Sequence, residues 1–248
     1  MYKRQVLELG AGTGKLTEQL VALGHDVHAT DPDPQMLALL EKNLPAVRTS
    51  QAPAEEIPAG DASYDVVVCG QAFHWFDVER ALPEIARVLK PRGRLSLVWN
   101  QRDERIPWVK RLGAIIGTQD QLRHPAEKLA ASKLFGDVEE ASFKFWQVID
   151  RNSIRDLVRS RSNVAVLSAA EQEAKMAEVL AFYDDFGRGM DGMQLPYTAI
   201  CLRSQVLDRV TPTLTDSGSG SGSGSVSDDT GNVVSDGSST DMLLIDFR

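Results

Sequence analysis

The stretch VLELGAGTGKL, from Val6 to Leu16, decides the fold, because it joins an apolar strand to a helix through a glycine-rich turn. The start of a helix points free backbone N–H groups outward, and glycines let a ligand approach the main chain closely. The stretch therefore predicts a ligand-binding turn at the end of the first strand.

Two nucleotide-binding motifs resemble this turn, but single residues separate them from it. A phosphate-binding P-loop needs a glycine five positions before the Gly-Lys pair and a Ser or Thr after the pair. Leu9 and Leu16 stand at those positions. A dinucleotide fingerprint that begins at Gly10 needs a glycine where Lys15 stands. What remains is an acid followed by three alternating glycines, at Glu8, Gly10, Gly12 and Gly14.

The second strand is predicted to end at Asp31, since apolar and polar residues alternate up to that point. Asp33 and Pro34 are typical of the N-cap and first residue of the following helix. Asp31 lies 21 residues after Gly10, near the spacing at which an acid binds ribose hydroxyls. A carboxylate suits that role because it accepts two hydrogen bonds from a cis-diol. The alternative is a solvated turn acid.

A third apolar run, Val66 to Val68, predicts a strand that is covered on both faces. The residue before it, Asp65, is either a strand-start acid or a simple turn acid. The run leads into the loop GQAFHWF, Gly70 to Phe76. Ligands of open α/β sheets lie beyond the carboxyl ends of the strands, so we expect this loop to face the ligand.

Together these motifs resemble class I S-adenosylmethionine (SAM)-dependent methyltransferases of the type 11 group. The AFHWF segment, residues 72–76, is similar to a subgroup that includes fungal trans-aconitate methyltransferases. The resemblance covers about residues 6–203. It implies a Rossmann-like, doubly wound α/β fold with a seven-stranded, mostly parallel sheet and an antiparallel last strand. It also implies SAM as the cofactor and S-adenosylhomocysteine (SAH) as the product.

The resemblance assigns roles in a cofactor site. The glycine turn would hold the amino acid end of SAM, Glu8 would help to anchor the ammonium group through water, and Met36 would pack near the adenine. Pro53 replaces an acid that often holds the adenine amino group, so that contact is expected from the backbone around Ala54. The full set implied for the cofactor is Glu8, Gly10, Ala11, Gly12, Gly14, Asp31, Pro32, Met36, Ala54, Glu55 and Gly70.

The aromatic loop is expected to line the acceptor pocket, with Phe73, His74, Trp75 and Phe76 as its wall. His74 is the candidate catalytic residue, which would orient the acceptor or take its proton. The alternative places His74 as a helix cap and Trp75 in the core. No metal is expected, because the two cysteines and four histidines show no ligand spacing.

Composition indicates an ordinary enzyme domain. The chain has 248 residues, of which 42% are apolar, enough to bury a full core. A formal net charge of −8 argues against nucleic-acid binding. No apolar run reaches membrane-spanning length. We therefore expect a cytoplasmic protein, a monomer or weak homodimer, whose partner is a small-molecule acceptor.

The resemblance and the composition together divide the chain into two regions. Residues 1–203 are predicted to form the methyltransferase domain, with a helical insert at about 101–133. Residues 204–248 hold seven Asp and two Arg in a Ser- and Gly-rich setting, which predicts a disordered tail. Only Met1–Gln5 precede the first strand, whereas relatives usually have helices there. We therefore expect an N-terminal truncation.

Further elements follow from periodicity and capping. One helix is expected to end before Pro91. A helix to about Phe186 is expected to open with a capping box at Ser168 and Glu171. The predicted later strands are Leu95–Trp99, Phe143–Ile149 and Leu195–Leu202.

The sequence thus predicts SAM-dependent methyl transfer to a small molecule, and the subgroup likeness suggests a carboxylate acceptor. Two alternatives stay open. One is an NAD(P)-dependent oxidoreductase, which Lys15 disfavours, and the other is a catalytically silent SAM-binding module.

Overall fold

The structure is a computed structural model and describes residues 3–117, 125–159, 164, 167–186 and 192–207. Its strands are β1 (Gln5–Leu9), β2 (Asp26–Asp31), β3 (Arg48–Gln51), β4 (Tyr64–Gly70), β5 (Leu89–Arg102), β6 (Glu139–Ile149) and β7 (Met193–Gln205). Its helices are α1 (Lys15–Ala22), α2 (Pro34–Asn43), α3 (Val78–Val88), α4 (Pro107–Ile116), α5 (Pro125–Ala131), α6 (Ser153–Arg159) and α7 (Ala169–Phe186).

All seven strands form one sheet in the order β3-β2-β1-β4-β5-β7-β6. Strands β1 to β5 are parallel to one another, whereas β7 is antiparallel to both β5 and β6. The predicted fold class is confirmed. Because parallel strands end at the same edge of a sheet, the segments that follow β1, β2, β4 and β5 meet there.

Apolar side chains cover both faces of the parallel half of the sheet. On one face Leu7 and Leu9 pack with Ile85 of α3. On the other face Ala29 packs with Leu40 of α2. Successive residues of a strand point to opposite faces, so Glu8, between Leu7 and Leu9, points away from the α3 layer.

A second apolar cluster covers the antiparallel half of the sheet. Helices α4, α6 and α7 pack there against β6 and β7. Its fully buried members include Val109, Leu112, Ile149, Ile154, Val158, Val179 and Leu195. The predicted helical insert at 101–133 begins later than expected, because Gln101 and Arg102 extend β5 by pairing with Thr198 and Tyr197.

Several predicted elements are present but have different ends. α3 ends at Val88, and β5, β6 and β7 are each longer than predicted. The reason is mutual pairing, since β6 and β7 form one ladder from Glu139 opposite Arg203 to Ile149 opposite Met193. The capping box is confirmed: the backbone N–H of Ser168 donates to the Glu171 carboxylate at 2.9 Å.

The predicted boundary at residue 203 is too early, because β7 runs to Gln205 and Val206 is buried. From residue 208 onward the predicted disordered tail lies outside the described residues. Within the described ranges, no helix is long and apolar enough to cross a membrane.

Candidate active site

The glycine turn lies between β1 and α1 and has three residues in the left-handed region of φ. Gly10, Gly12 and Gly14 have φ values of 67°, 56° and 87°. The turn is closed by the Gly14 N–H, which donates to the Ala11 carbonyl at 3.0 Å. Gly14 is the N-cap of α1 and offers no side-chain cap. Gly14 therefore supplies no side-chain acceptor for the first backbone N–H groups of α1.

The three glycines are required for different reasons. A Cβ on Gly10 would lie 2.5 Å from the Ala72 Cβ, and one on Gly14 would lie 2.8 Å from the Leu40 Cγ. A Cβ on Gly12 would meet no atom within 4 Å. Gly10 and Gly14 thus allow close packing inside the protein, whereas Gly12 borders open space that a ligand can occupy.

Asp31 ties the end of β2 to this turn. One of its carboxylate oxygens accepts the Gly12 N–H at 2.8 Å, and the other accepts the Asp33 N–H at 2.9 Å. The side chain is 8% exposed. Asp31 is therefore not a freely solvated turn acid, and each oxygen keeps a second lone pair for another donor.

Glu8 lies below the turn and is the most buried acid of the site, at 1% exposed. It accepts a hydrogen bond from the Thr17 hydroxyl of α1 at 2.6 Å. Burial raises the pKa of Glu8 from 4.5 to about 8, and the nearby Asp31 charge acts in the same direction. Its carboxyl group is therefore largely protonated at neutral pH in the free protein.

The segment after β4 packs directly against the glycine turn. A Cβ on Gly70 would lie 2.9 Å from the Leu16 Cδ2 of α1, so this strand end needs a glycine. Gln71 has a φ of 55°, which is rare for a residue with a side chain, and its N–H donates to the Val98 carbonyl at 2.8 Å. Strained backbone of this kind is frequent at functional sites.

The four aromatic-loop residues do not share one environment. Phe73–Trp75 form a short 3-10 helix. Phe73 is 1% exposed and belongs to the core, so its side chain is not open to a ligand, unlike the prediction. Phe76 packs edge-on against it at a centroid distance of 5.8 Å. Trp75 is 65% exposed, which contradicts the alternative of a core residue.

His74 lies between these two environments. Its Nδ1 is buried and has no hydrogen-bond partner within the described part of the chain. Its ring lies 4.7 Å from the Trp75 ring. Burial lowers the pKa of His74 below its ordinary 6.5, which keeps the imidazole neutral at pH 7. A neutral imidazole can accept a proton.

The other predicted cofactor residues lie around the same edge. Pro32 and Met36 are exposed, the latter at 40%, on the segment that follows β2. The Pro32 carbonyl accepts a hydrogen bond from Gln51 at 3.0 Å, which joins the ends of β2 and β3. Ala54 is buried in the core, so its side chain is not open to a ligand.

Glu55 has a clear structural partner. Its carboxylate accepts the Asp77 N–H at 2.7 Å and so fastens the segment after β3 to the start of α3. Asp65 lies far from the site, at the opposite end of β4, where it pairs with Lys90 at 2.9 Å.

Two participants were not predicted as site residues. Thr17 is the partner of Glu8, and Gln71 carries the strained backbone. Trp99, near the end of β5, belongs to the core, where its Nε1 is buried without a hydrogen-bond partner among the described residues. The only sequence signal was for Thr17, which stands one turn into the helix that follows the acid.

Comparisons with known proteins identify relatives of this chain. Residues 7–97 match a family described as a methyltransferase domain. A Mycobacterium tuberculosis (strain H37Rv) protein, named an uncharacterized methyltransferase, is 43% identical over 206 residues. The match covers 81% of this chain and 83% of the relative.

Solved structures are similar in fold. The YcgJ protein of Bacillus subtilis has a TM-score of 0.51 at 22% identity, covering 83% of this chain and 93% of that chain. A Haemonchus contortus phosphoethanolamine N-methyltransferase 2, solved with phosphomonomethylethanolamine and SAH, has a TM-score of 0.50 at 16% identity. That match covers 83% of this chain and 49% of the other. At these identities the two structures support the fold alone.

Proposed function

We propose, on the premise that this chain belongs to the family of SAM-dependent methyltransferases, that it methylates a small-molecule acceptor beside residues 71–76. The observation that carries the proposal is the open side of Gly12 next to the Asp31 carboxylate. This combination lies at the sheet edge where ligands of α/β proteins bind.

The residues of this edge suit SAM chemically. SAM supplies an electrophilic methyl group on a sulfonium centre. The open side of Gly12 leaves room for its amino acid end, and Asp31 keeps lone pairs for the ribose hydroxyls. The exposed Met36 side chain and the Ala54 backbone are the proposed contacts of the adenine. Glu8 is the proposed partner of the ammonium group through water, for which its carboxyl group must lose its proton.

The acceptor is proposed to lie against His74, Trp75 and Phe76. Trp75 presents a large exposed aromatic surface that a bound acceptor would cover, which excludes water. Positioning supplies much of the catalysis in an in-line transfer. A carboxylate acceptor needs no base, whereas a hydroxyl or amine must lose a proton, and the neutral imidazole of His74 is the proposed base. The likeness of residues 72–76 to the trans-aconitate subgroup makes carboxylic acids the first class to test.

Calorimetric titration tests the cofactor half of the proposal. SAH is expected to bind, and NAD and ATP at the same concentration are not. Turnover is then measured as SAH formed from SAM with panels of carboxylic acids, phenols and amines. Binding of NAD in place of SAH would favour the oxidoreductase alternative. SAH binding without turnover on any panel would favour a silent binding module.

Replacing His74 with alanine is expected to slow turnover while leaving SAH affinity within a few-fold. The size of the loss in rate distinguishes the acceptor classes, because only an acceptor that must give up a proton needs a general base. Removal of a general base costs about 10²–10⁴-fold in rate. That loss is expected for hydroxyl or amine acceptors, and a loss below about tenfold is expected for a carboxylate. His25→Ala is the matched control, since His25 also has a buried Nδ1 with no partner among the described residues but precedes β2 at the opposite edge. Lost SAH binding in folded His74→Ala would make His74 a cofactor residue instead.

Two alanine substitutions are expected to separate ligand binding from folding: Gly14→Ala should mainly lower stability, and Gly12→Ala should mainly weaken SAH binding. Gly14→Ala combines left-handed strain with a contact to Leu40, which should lower the free energy of unfolding by about 2–4 kcal/mol. Gly12→Ala carries only the strain, about 1–2 kcal/mol, but its methyl group projects into the open space. Urea unfolding and SAH titration of both variants measure the two effects. A Gly12→Ala protein that binds SAH normally would place the ligand elsewhere.

A further inference from the structure

The strand β6 forms one end of the sheet. It pairs with β7 along its whole length, from Glu139 to Ile149. In the described ranges no strand pairs with its other side. Its sequence EEASFKFWQVI contains neither proline nor glycine. Long edge strands are usually interrupted by proline or a bulge, carry charged side chains, or are covered, because their unpaired N–H and C=O groups attract further strands. Of these devices β6 has only charges, at Glu139, Glu140 and Lys144.

This edge also exposes large apolar side chains. Trp146 is 62% exposed and Val148 is 60% exposed. Both lie at even positions of β6, on the face opposite to Phe145 and Ile149, which pack in the second apolar cluster. An exposed tryptophan on an edge strand is typical of a surface that a partner covers.

The side chains at the even positions of β6 can pair with those of a second, antiparallel copy of the same strand. Glu140, Ser142, Lys144 and Trp146 lie on one face of β6. Val138, directly before the strand, is half-buried against the core cluster that contains Leu7 and Leu9. Glu140, Ser142 and Lys144 are all exposed. Two antiparallel copies related by a twofold axis at Ser142 would place Glu140 opposite the partner's Lys144, and Trp146 opposite the partner's Val138. Opposite charges and aromatic–β-branched pairs are both favourable across antiparallel strands.

Neighbouring registers lack this complementarity. An axis at Lys144 would place that lysine opposite itself. An axis at Phe143 would place Glu140 opposite Trp146, and Lys144 opposite Ser142, so neither charge would face an opposite one. Register is set by such side-chain pairs wherever turn geometry does not fix it.

We propose that two copies of this chain associate through an antiparallel β6–β6 pair centred on Ser142. The occupant of the edge is a second copy, because the charges of the strand complement themselves in that register. The association continues the sheet of each copy into that of the other. It is independent of the methyl-transfer site, since β6 lies at the end of the sheet farthest from β1 and β2.

Charge reversal tests the register. Sedimentation velocity of the full chain over a range of concentrations is expected to show a monomer–dimer equilibrium. Lys144→Glu and Glu140→Lys are each expected to weaken dimerisation by at least tenfold, because each places like charges opposite one another. The double variant, Glu140→Lys with Lys144→Glu, is expected to restore dimerisation to within a few-fold. Both positions are exposed, so the far-UV circular dichroism and Tm should not change.

Cross-linking gives a second, direct readout. Ser142→Cys is expected to form a covalent dimer on oxidation, because residues that face each other at the axis lie within disulfide distance. Val148→Cys is the matched control, since the proposed register holds it far from its own counterpart. A wild-type chain that stays monomeric at every concentration would overturn the proposal. The proposal would also be overturned if Lys144→Glu left the dimerisation constant unchanged and Val148→Cys formed the covalent dimer.

Discussion

Replacing Glu8 with glutamine is expected to remove most of the loss of stability that the protein suffers as the pH rises from about 4.5 to 8. The carboxyl group is 1% exposed and burial raises its pKa to about 8. Between the ordinary pKa of 4.5 and about 8, the unfolded chain has lost this proton whereas the folded protein keeps it. Stability therefore falls with rising pH across that window and levels off above it.

The size of the effect follows from the shift in pKa. One unit corresponds to about 1.4 kcal/mol, so Glu8 should lower the free energy of unfolding by roughly 3–5 kcal/mol across the window. Glutamine resembles the protonated acid in shape and still accepts the Thr17 hydroxyl hydrogen bond. Urea unfolding of wild type and Glu8→Gln at several pH values measures the difference.

An exposed glutamate on α1 provides the control for this experiment. Glu18→Gln makes the same change of charge at a solvated position and should leave the pH profile as in wild type. His28 acts in the opposite direction, because burial lowers its pKa to about 4, so stability also falls as the pH drops from 6.5 towards 4. This fall in stability at acidic pH is expected for wild type and for both variants. Parallel profiles for Glu8→Gln and wild type would show that Glu8 is already ionised in the folded protein.

The same substitution should weaken SAH binding. Glutamine carries no charge for the ammonium group, whereas Glu8 can ionise when that group is bound. A gain in stability with a loss of affinity would mean that the buried acid is kept for binding at a cost to the fold. Unchanged SAH affinity in Glu8→Gln would remove the ammonium role from the proposal.

Replacing Asp31 with asparagine is expected to lower SAH affinity by about 10- to 100-fold. Hydrogen bonds to charged groups contribute about 1.5–3 kcal/mol each, and the ribose would lose a charged acceptor. The substitution would also destabilise the glycine turn. Both carboxylate oxygens accept backbone N–H groups, from Gly12 and Asp33, and an amide can accept only one of them.

Asp33→Asn is the matched control, because it makes the same change of charge two residues away. Asp33 is the N-cap of α2 and accepts the Gln35 N–H at 2.8 Å, a role that asparagine fills equally well. Calorimetric titration of both variants with SAH, alongside thermal unfolding, separates binding from stability. Equal affinities for the two variants would exclude Asp31 from the site.

Features encoded in adjacent residues could be predicted from the sequence. The turn of Gly10, Gly12 and Gly14, the N-cap at Asp33 and the capping box at Ser168 depend on backbone angles and on side chains a few positions apart. Alternation and glycine spacing then predicted the mostly parallel sheet. The end of β2 at Asp31, beside the turn, follows from the same local signals.

Strand ends could not be predicted as well, because they depend on pairing with distant residues. β6 begins at Glu139, four residues before its predicted start, since Glu139 faces Arg203 of β7. Nothing in the local composition of residues 139–142 distinguishes a strand from a loop. The same reason places Arg102 in β5 rather than in the helical insert.

The chemistry of individual site residues was decided only by the tertiary structure. Neighbours in sequence have opposite environments here: Phe73 is 1% exposed and Trp75 is 65% exposed, because a single 3-10 turn directs one into the core and the other out. Glu8 owes its raised pKa to burial beneath α1 near Asp31. The sequence by itself determined which residue types lie at the ends of the strands. Burial and long-range contacts, which set solvation and the distances between charges, decided their ionisation and access to a ligand.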